Sequence, residues 1–221
     1  MISNRANWAA IFAMMALAAG SAEAQTPAAK SGGAPDTFTV ISPIWGQLVR
    51  FAMPSGFAAG FENTKDNFYI REAVLKGETV NAWSQMITVT GAKGLAAAPS
   101  FSPQGLAGSI AGGFKKACPE SFVAKGFGET RFGDRDAYVA VAGCGRVEGS
   151  ADKHGEMALI IAVKGATDAY TIQWAERTPA SSAPTFDEAK WQGRLRALMP
   201  IRLCAIVAGE AAPYPSCLQA P

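Results

Sequence analysis

A chain of 221 residues with 17% charged and 49% hydrophobic side chains has the balance of a folded globular protein, not of a disordered one. Its net charge of +2, with Lys115-Lys116 as the longest basic run, is too weak to argue for nucleic acid or for charge-driven membrane attraction.

The first 24 residues read as a secretory signal peptide. Arg5 gives a short positive start, Trp8 to Ala19 is an apolar run, and Ala22-Glu23-Ala24 is an A-x-A cleavage site before Gln25. The apolar run falls short of the roughly 20 residues that a membrane span needs. No integral membrane segment is therefore expected after cleavage, and no cysteine sits at the cleavage point to take a lipid. The expected location is periplasmic or secreted. About 197 residues remain, one domain of ordinary size that can bury roughly 70% of its unfolded surface. Residues 25–37 have little to bury and read as a flexible linker, 38–207 as a single domain, and 208–221 as a C-terminal tail.

From Phe38 the chain alternates as strands do. Val49, Phe51 and Met53 share one face, and Pro54-Ser55-Gly56 makes a turn. Phe57 to Glu62 and Phe68 to Leu75 read as a hairpin around the polar Asn63 to Asn67. Thr79 to Ser84 reads as one helical turn running into irregular or extended chain, since Val80, Trp83 and Ile87 have helical spacing while Met86 to Thr90 is β-branched. The next element is a helix with Ser102 as N-cap, Pro103 in the first position, and a stripe of Leu106, Ile110, Phe114 and Ala117 ending before Pro119. Its glycines 105, 108, 112 and 113 each cost about 1 kcal/mol relative to alanine, so close packing on a sheet face must supply its stability. Four strands follow, Phe122–Phe132, Ala137–Val147, Met157–Lys164 and Ala169–Arg177. Their short connections make them consecutive and antiparallel, and Met157 to Val163, apolar on both faces, reads as a covered central strand. Thr185 to Glu188 matches a capping box that opens a last helix carrying Phe186, Trp191, Leu195 and Leu198, which Pro200 ends.

Four cysteines in an exported chain suggest disulfides. Three pairings are open; the one expected is Cys118 with Cys144 and Cys204 with Cys217, each worth about 3 to 3.5 kcal/mol in the chain-entropy model. Zinc ligation fits poorly, because the cysteines form no C-x-x-C pair and one histidine is present. The expected fold class is α+β, an αβα sandwich with a largely antiparallel sheet of six or seven strands and two main helices.

Three patterns resemble the PsbP-like superfamily, which includes a photosystem II extrinsic subunit, a Ran-binding import factor and small exported bacterial proteins. They are Tyr69-Ile70-Arg71-Glu72 with Gly77-Glu78-Thr79 and Trp83; Asp168-Ala169-Tyr170-Thr171-Ile172 leading to Arg177; and a final helix centred on Trp191. The resemblance spans about Phe38 to Cys204 and implies the αβα fold. The chain lacks an acidic Ran-facing cluster and a photosystem-docking segment, and a shared fold implies little about activity.

Residues that could carry chemistry are few. His154, beside Asp152 and Glu156, reads as an exposed histidine in a hairpin loop with glycines around it, poor support for a catalytic group. Ser150-Ala151-Asp152-Lys153 matches S-x-x-K without its S-D-N and K-T-G partners, and Ser109 imitates a nucleophile elbow from mid-helix. Glu62, Asp66, Glu72, Glu78, Asp134, Asp136 and Glu176 form no acid–base spacing. Phe68, Trp83, Trp174 and Trp191 read as core or half-buried sheet residues. No phosphate loop, dinucleotide fingerprint, metal set or cofactor motif is present. The expected role is a non-catalytic periplasmic domain that binds a protein or an envelope component. The alternatives are a small-ligand or lipid carrier with an apolar pocket between sheet and helix and, last, a hydrolase using Ser150, Lys153 or His154.

Overall fold

The computed structural model describes residues 36–147 and 153–219. In chain order these form β1 (Thr37–Ile44), β2 (Gln47–Pro54), β3 (Phe57–Lys65), β4 (Phe68–Leu75), β5 (Gln85–Ala92), α1 (Pro103–Ala117), β6 (Phe122–Phe132), β7 (Arg135–Cys144), β8 (His154–Lys164), β9 (Ala169–Pro179), α2 (Glu188–Ala197), β10 (Arg202–Ala205) and α3 (Pro215–Leu218). Seven strands build one sheet in the order β3-β4-β5-β9-β8-β7-β6, and β1-β2-β10 build a second. Every strand pairing is antiparallel. The class is α+β with two substantial helices, as the sequence predicts. No helix among the described residues is long and apolar enough to cross a membrane.

The large sheet is the middle layer, and β8 explains why. Leu159, Ile161 and Val163 point to one face and join the main core with Phe51, Ile172, Trp191 and Leu198. Ala158, Ile160 and Ala162 point to the other, where with Ala142 they receive Ala107 of α1. Alanines on the sheet let the helix backbone come close. Opposite α1 the layer is α2 together with the small sheet, not a helix alone. The sequence hides that sheet because Arg202 to Ala205 pairs with Gln47 to Arg50 from the far end of the chain.

Local chemistry sets the element ends. Ser102 Oγ accepts the Gly105 N–H at 3.0 Å, and Pro103 opens α1. The other end of α1 is bolted to β7 by the Cys118–Cys144 disulfide. Cys204 of β10 is joined to Cys217 of α3, and Arg50 donates to the Cys217 and Leu218 carbonyls at 2.8 and 3.2 Å. Both pairings are the expected ones.

Two readings need correction. Residues 79–84 form no helical turn. Thr79 and Ala82 make an isolated bridge, and Glu78 accepts the Ser84 N–H and hydroxyl at 2.9 and 2.6 Å; those bonds hold the segment open before the β-branched β5. The N-cap of α2 is Asp187, accepting from Lys190 N at 3.0 Å, not Thr185. Aspartate caps as well as threonine. Phe186 meets Phe127 edge to face with ring centroids 6.2 Å apart, and Glu188 pairs with Lys125 at 2.5 Å instead of reaching back.

Asp168 is a buried staple at one end of the sheets, only 4% exposed. Its carboxylate accepts from Gly94 N at 2.7 Å and Gly46 N at 3.3 Å. Tyr170, whose hydroxyl lies 3.1 Å from the Ile44 carbonyl and 3.4 Å from Asp168, is pushed up by burial and by that carboxylate. Gln47 accepts from Ala166 N at 2.8 Å beside it. The β8–β9 turn, the β1–β2 turn and the segment after β5 are thereby held together.

Candidate binding face

The face of the large sheet that carries α1 is only half covered. Register places Val74, Glu72 and Ile70 of β4 opposite Met86, Thr88 and Thr90 of β5, and these opposite Ala175, Gln173 and Thr171 of β9. Phe61, Asn63 and Lys65 of β3 extend the same face. β8 joins it through Ala158 and Ala162, which lie against α1. The helix packs over β6, β7 and β8; on the β3–β4–β5–β9 half Val74, Met86 and Thr171 are buried all the same, and the open part runs over the remaining residues.

Its composition is mixed. Phe61 is 44% and Phe68 47% exposed, while Ile70, Thr88, Thr90 and Gln173 are half-buried. Thr90 and Thr171 hydroxyls lie 2.7 Å apart, and Gln173 Nε2 donates to Thr171 at 3.3 Å. Burial raises the Glu72 carboxyl above its ordinary value. At one end Arg177 lies over the Trp83 ring at 4.3 Å. At the other, a groove of about 650 Å³ separates Phe68 at the hairpin tip from Leu95. Along the flank of α1 run two smaller grooves, one of about 300 Å³ by Leu106 and Ser109 and one of about 280 Å³ by Phe114 and Glu156. An apolar rim around hydroxyl and amide groups suits a polypeptide or other amphipathic surface.

The opposite face is closed by a polar anchor. Arg194 of α2 lies between the Trp174 and Trp191 rings, at 4.9 and 4.6 Å. It donates to Glu176 at 2.6 Å and to Gln85 at 3.1 Å, and Trp174 donates to the same Gln85 oxygen at 3.0 Å. Lys190 also pairs with Glu176. Burial lowers Arg194 from its ordinary value, and Glu176 opposes the shift. This cluster seats α2 on the sheet.

The residues singled out from the sequence scatter. Ser150 and Asp152 lie outside the described residues. Lys153 is exposed beside them. His154 is not in an exposed loop: it is the first residue of β8, its side chain is 15% exposed, and its Nε2 lies 4.0 Å from Glu156. Ser109 sits on an exposed helix face, donating back to the Gly105 carbonyl at 3.0 Å. The carboxylates have separate duties. Glu62 accepts from Tyr69 at 2.8 Å; burial first, then Glu62, pushes that phenol up. Asp136 pairs with Arg131 and Asp134 with Arg135, and Ser84 holds Glu78 below its ordinary range. Trp174 and Trp191 are core and Trp83 is half-buried, but Phe68 is exposed. Among the described residues no three His, Cys, Asp or Glu side chains are placed to share a metal ion. The open floor was missed from sequence because each strand there alternates like any other, and only the position of α1 leaves those strands uncovered.

No family model matches the sequence, and no curated protein matches it. Among solved structures, the chain is similar to the Ran-binding protein Mog1p of Saccharomyces cerevisiae, with 9% identity over 72% of this chain and 84% of that one and a TM-score of 0.40. A mutant of protein Mog1 gives 8% identity over 75% and 86%, with a TM-score of 0.41. Overlap of that degree carries no inference about activity or partner.

Proposed function

We propose that this chain is an exported, non-catalytic domain that binds a protein or an envelope component on the open half of its large sheet. The supporting observation is a sheet face that α1 covers only over β6, β7 and β8, with Phe61 and Phe68 exposed beside Thr88, Thr90 and Gln173. Exposed aromatic side chains beside hydroxyl and amide groups match the composition of partner-binding surfaces. Export rests on the leader reading of residues 1–24, which lie outside the described residues. Two disulfides fit an oxidising compartment. On this reading a mature chain begins at Gln25, a domain runs from 38 to 207, and a tail follows. Photo-cross-linking in cells tests it. A benzophenone side chain at Phe61 or Thr88 is expected to trap one recurrent partner that the same probe at Lys116, on the solvent side of α1, does not. Equal trapping at all three positions, or none, would overturn the reading.

A small-ligand carrier is the second reading, and one observation favours it: the groove of about 280 Å³ beside Glu156, between α1 and the sheet.

A further inference from the structure

A cation over an aromatic ring with a carboxylate beside it recurs in this molecule. Lys125 lies over Phe186 at 5.4 Å and pairs with Glu188 at 2.5 Å. Arg194 lies over Trp174 at 4.9 Å and pairs with Glu176 at 2.6 Å. Arg177 lies over Trp83 at 4.3 Å and stands opposite Glu156 in the register of β8 and β9. One further carboxylate–aromatic pair has no cation. Glu72 of β4 stands opposite Phe61 of β3, and directly opposed residues share a face with their Cβ atoms about 5 Å apart. Phe61 is exposed and Glu72 half-buried. Burial raises the Glu72 carboxyl, and no neighbouring charge offsets that rise. Arg71, next along β4, points to the opposite face and donates to Ser42. Lys65 stands four residues along β3 from Phe61, about 13 Å away at the rise of a strand.

We propose that Glu72 and Phe61 form a recognition site for an arginine side chain of a partner polypeptide laid across β3, β4 and β5. Glu72 is the charged group between Phe61 and Thr88 on this floor, so complementarity asks for a positive charge there. The guanidinium would lie on the Phe61 ring and donate to the Glu72 carboxylate, as Arg194 does on the opposite face with Trp174 and Glu176. A planar fork suits a ring beside a carboxylate better than the compact ammonium of lysine does. Thr88, opposite Glu72 on β5, and Thr90 offer hydroxyls to the backbone that carries the arginine. Three strands are about 10 Å across, and an extended peptide of about five residues spans them. The inference rests on the partner face proposed above and names the charge that the partner brings to it.

The test is a chemical-shift titration of the mature chain with acetyl-Ala-Ala-Arg-Ala-Ala-amide and with the same peptide carrying citrulline, the neutral isostere, in place of arginine. The arginine peptide is expected to bind with Kd on the order of 5 mM, as befits one small exposed contact, and to shift the Phe61, Glu72 and Thr88 amides. The citrulline peptide should bind roughly fivefold more weakly. Glu72→Gln should cut that preference to about twofold or less, and Phe61→Ala should weaken the arginine peptide roughly threefold. Equal affinity for the two peptides, a preference for arginine that Glu72→Gln leaves unchanged, or no shifts on this floor up to about 50 mM would each overturn the arginine site. The partner face itself is read separately: a benzophenone at Thr88 that traps the same partner at full yield in the Glu72→Gln chain would leave the face standing and overturn the arginine site.

Discussion

Asp168 is a buried carboxylate and Glu156 a half-buried one, on or beside the same pair of strands, and their surroundings are opposite. Asp168 accepts two backbone N–H groups and lies beside the Tyr170 hydroxyl; its removal leaves those donors buried and unpaired. Asp168→Ala is therefore expected to cost about 3 kcal/mol in urea unfolding, and Asp168→Asn, which keeps an acceptor oxygen, about half of that. Glu156 lacks such donors, so burial raises its carboxyl above the ordinary 4.5 more than Arg177 and His154 lower it. The unfolded chain then holds that proton less tightly than the native one. Stability from this group is present below pH 4.5 and is lost as pH rises through the native value. Glu156→Gln, which mimics the protonated form, should be more stable than the parent at pH 7, with the gain vanishing near pH 4. A Gln variant less stable at pH 7 would mean that Glu156 makes a favourable contact in the native state.

At the scale of elements, α1 shows how far local pattern reaches. Its cap, its proline start and its apolar stripe were legible because each is written within a few residues: Ser102, Pro103, then Leu106, Ile110 and Phe114. The hairpins were legible for the same reason. The α2 cap was not, since Thr185 and Asp187 are both good caps and the choice depends on Phe186 meeting Phe127 of β6. Residues 79–84 were misread because Trp83 serves Arg177 on another strand, not a helical face. The glycines of α1 yield a direct expectation. Gly108 is exposed, and a Cβ there meets nothing within 4 Å. Gly108→Ala should therefore add roughly 0.5 to 1 kcal/mol of stability, read as a higher urea midpoint at unchanged slope. A loss of stability would show that a neighbour needs that space.

For the whole molecule, the sequence carried the class and the antiparallel order of the later strands; it left three disulfide pairings open, of which the expected one is found, and it did not carry the second sheet or the half-open face. Those depend on where distant segments meet. The patterns that resemble a known superfamily turn out to sit at such meetings: Arg71 donates to Ser42 of β1 at 3.1 Å, Asp168 holds three turns, and Trp191 lies under Arg194. The pairing of β10 with β2 has a consequence in time. The strand that completes the small sheet is made last, after all seven strands of the large one, and its partner is among the first. Closing so long a loop is entropically dear and slow. The small sheet around Leu203 therefore cannot close until nearly the whole chain has been made, so its closure is expected to be a late step of folding, after the hairpins of the large sheet.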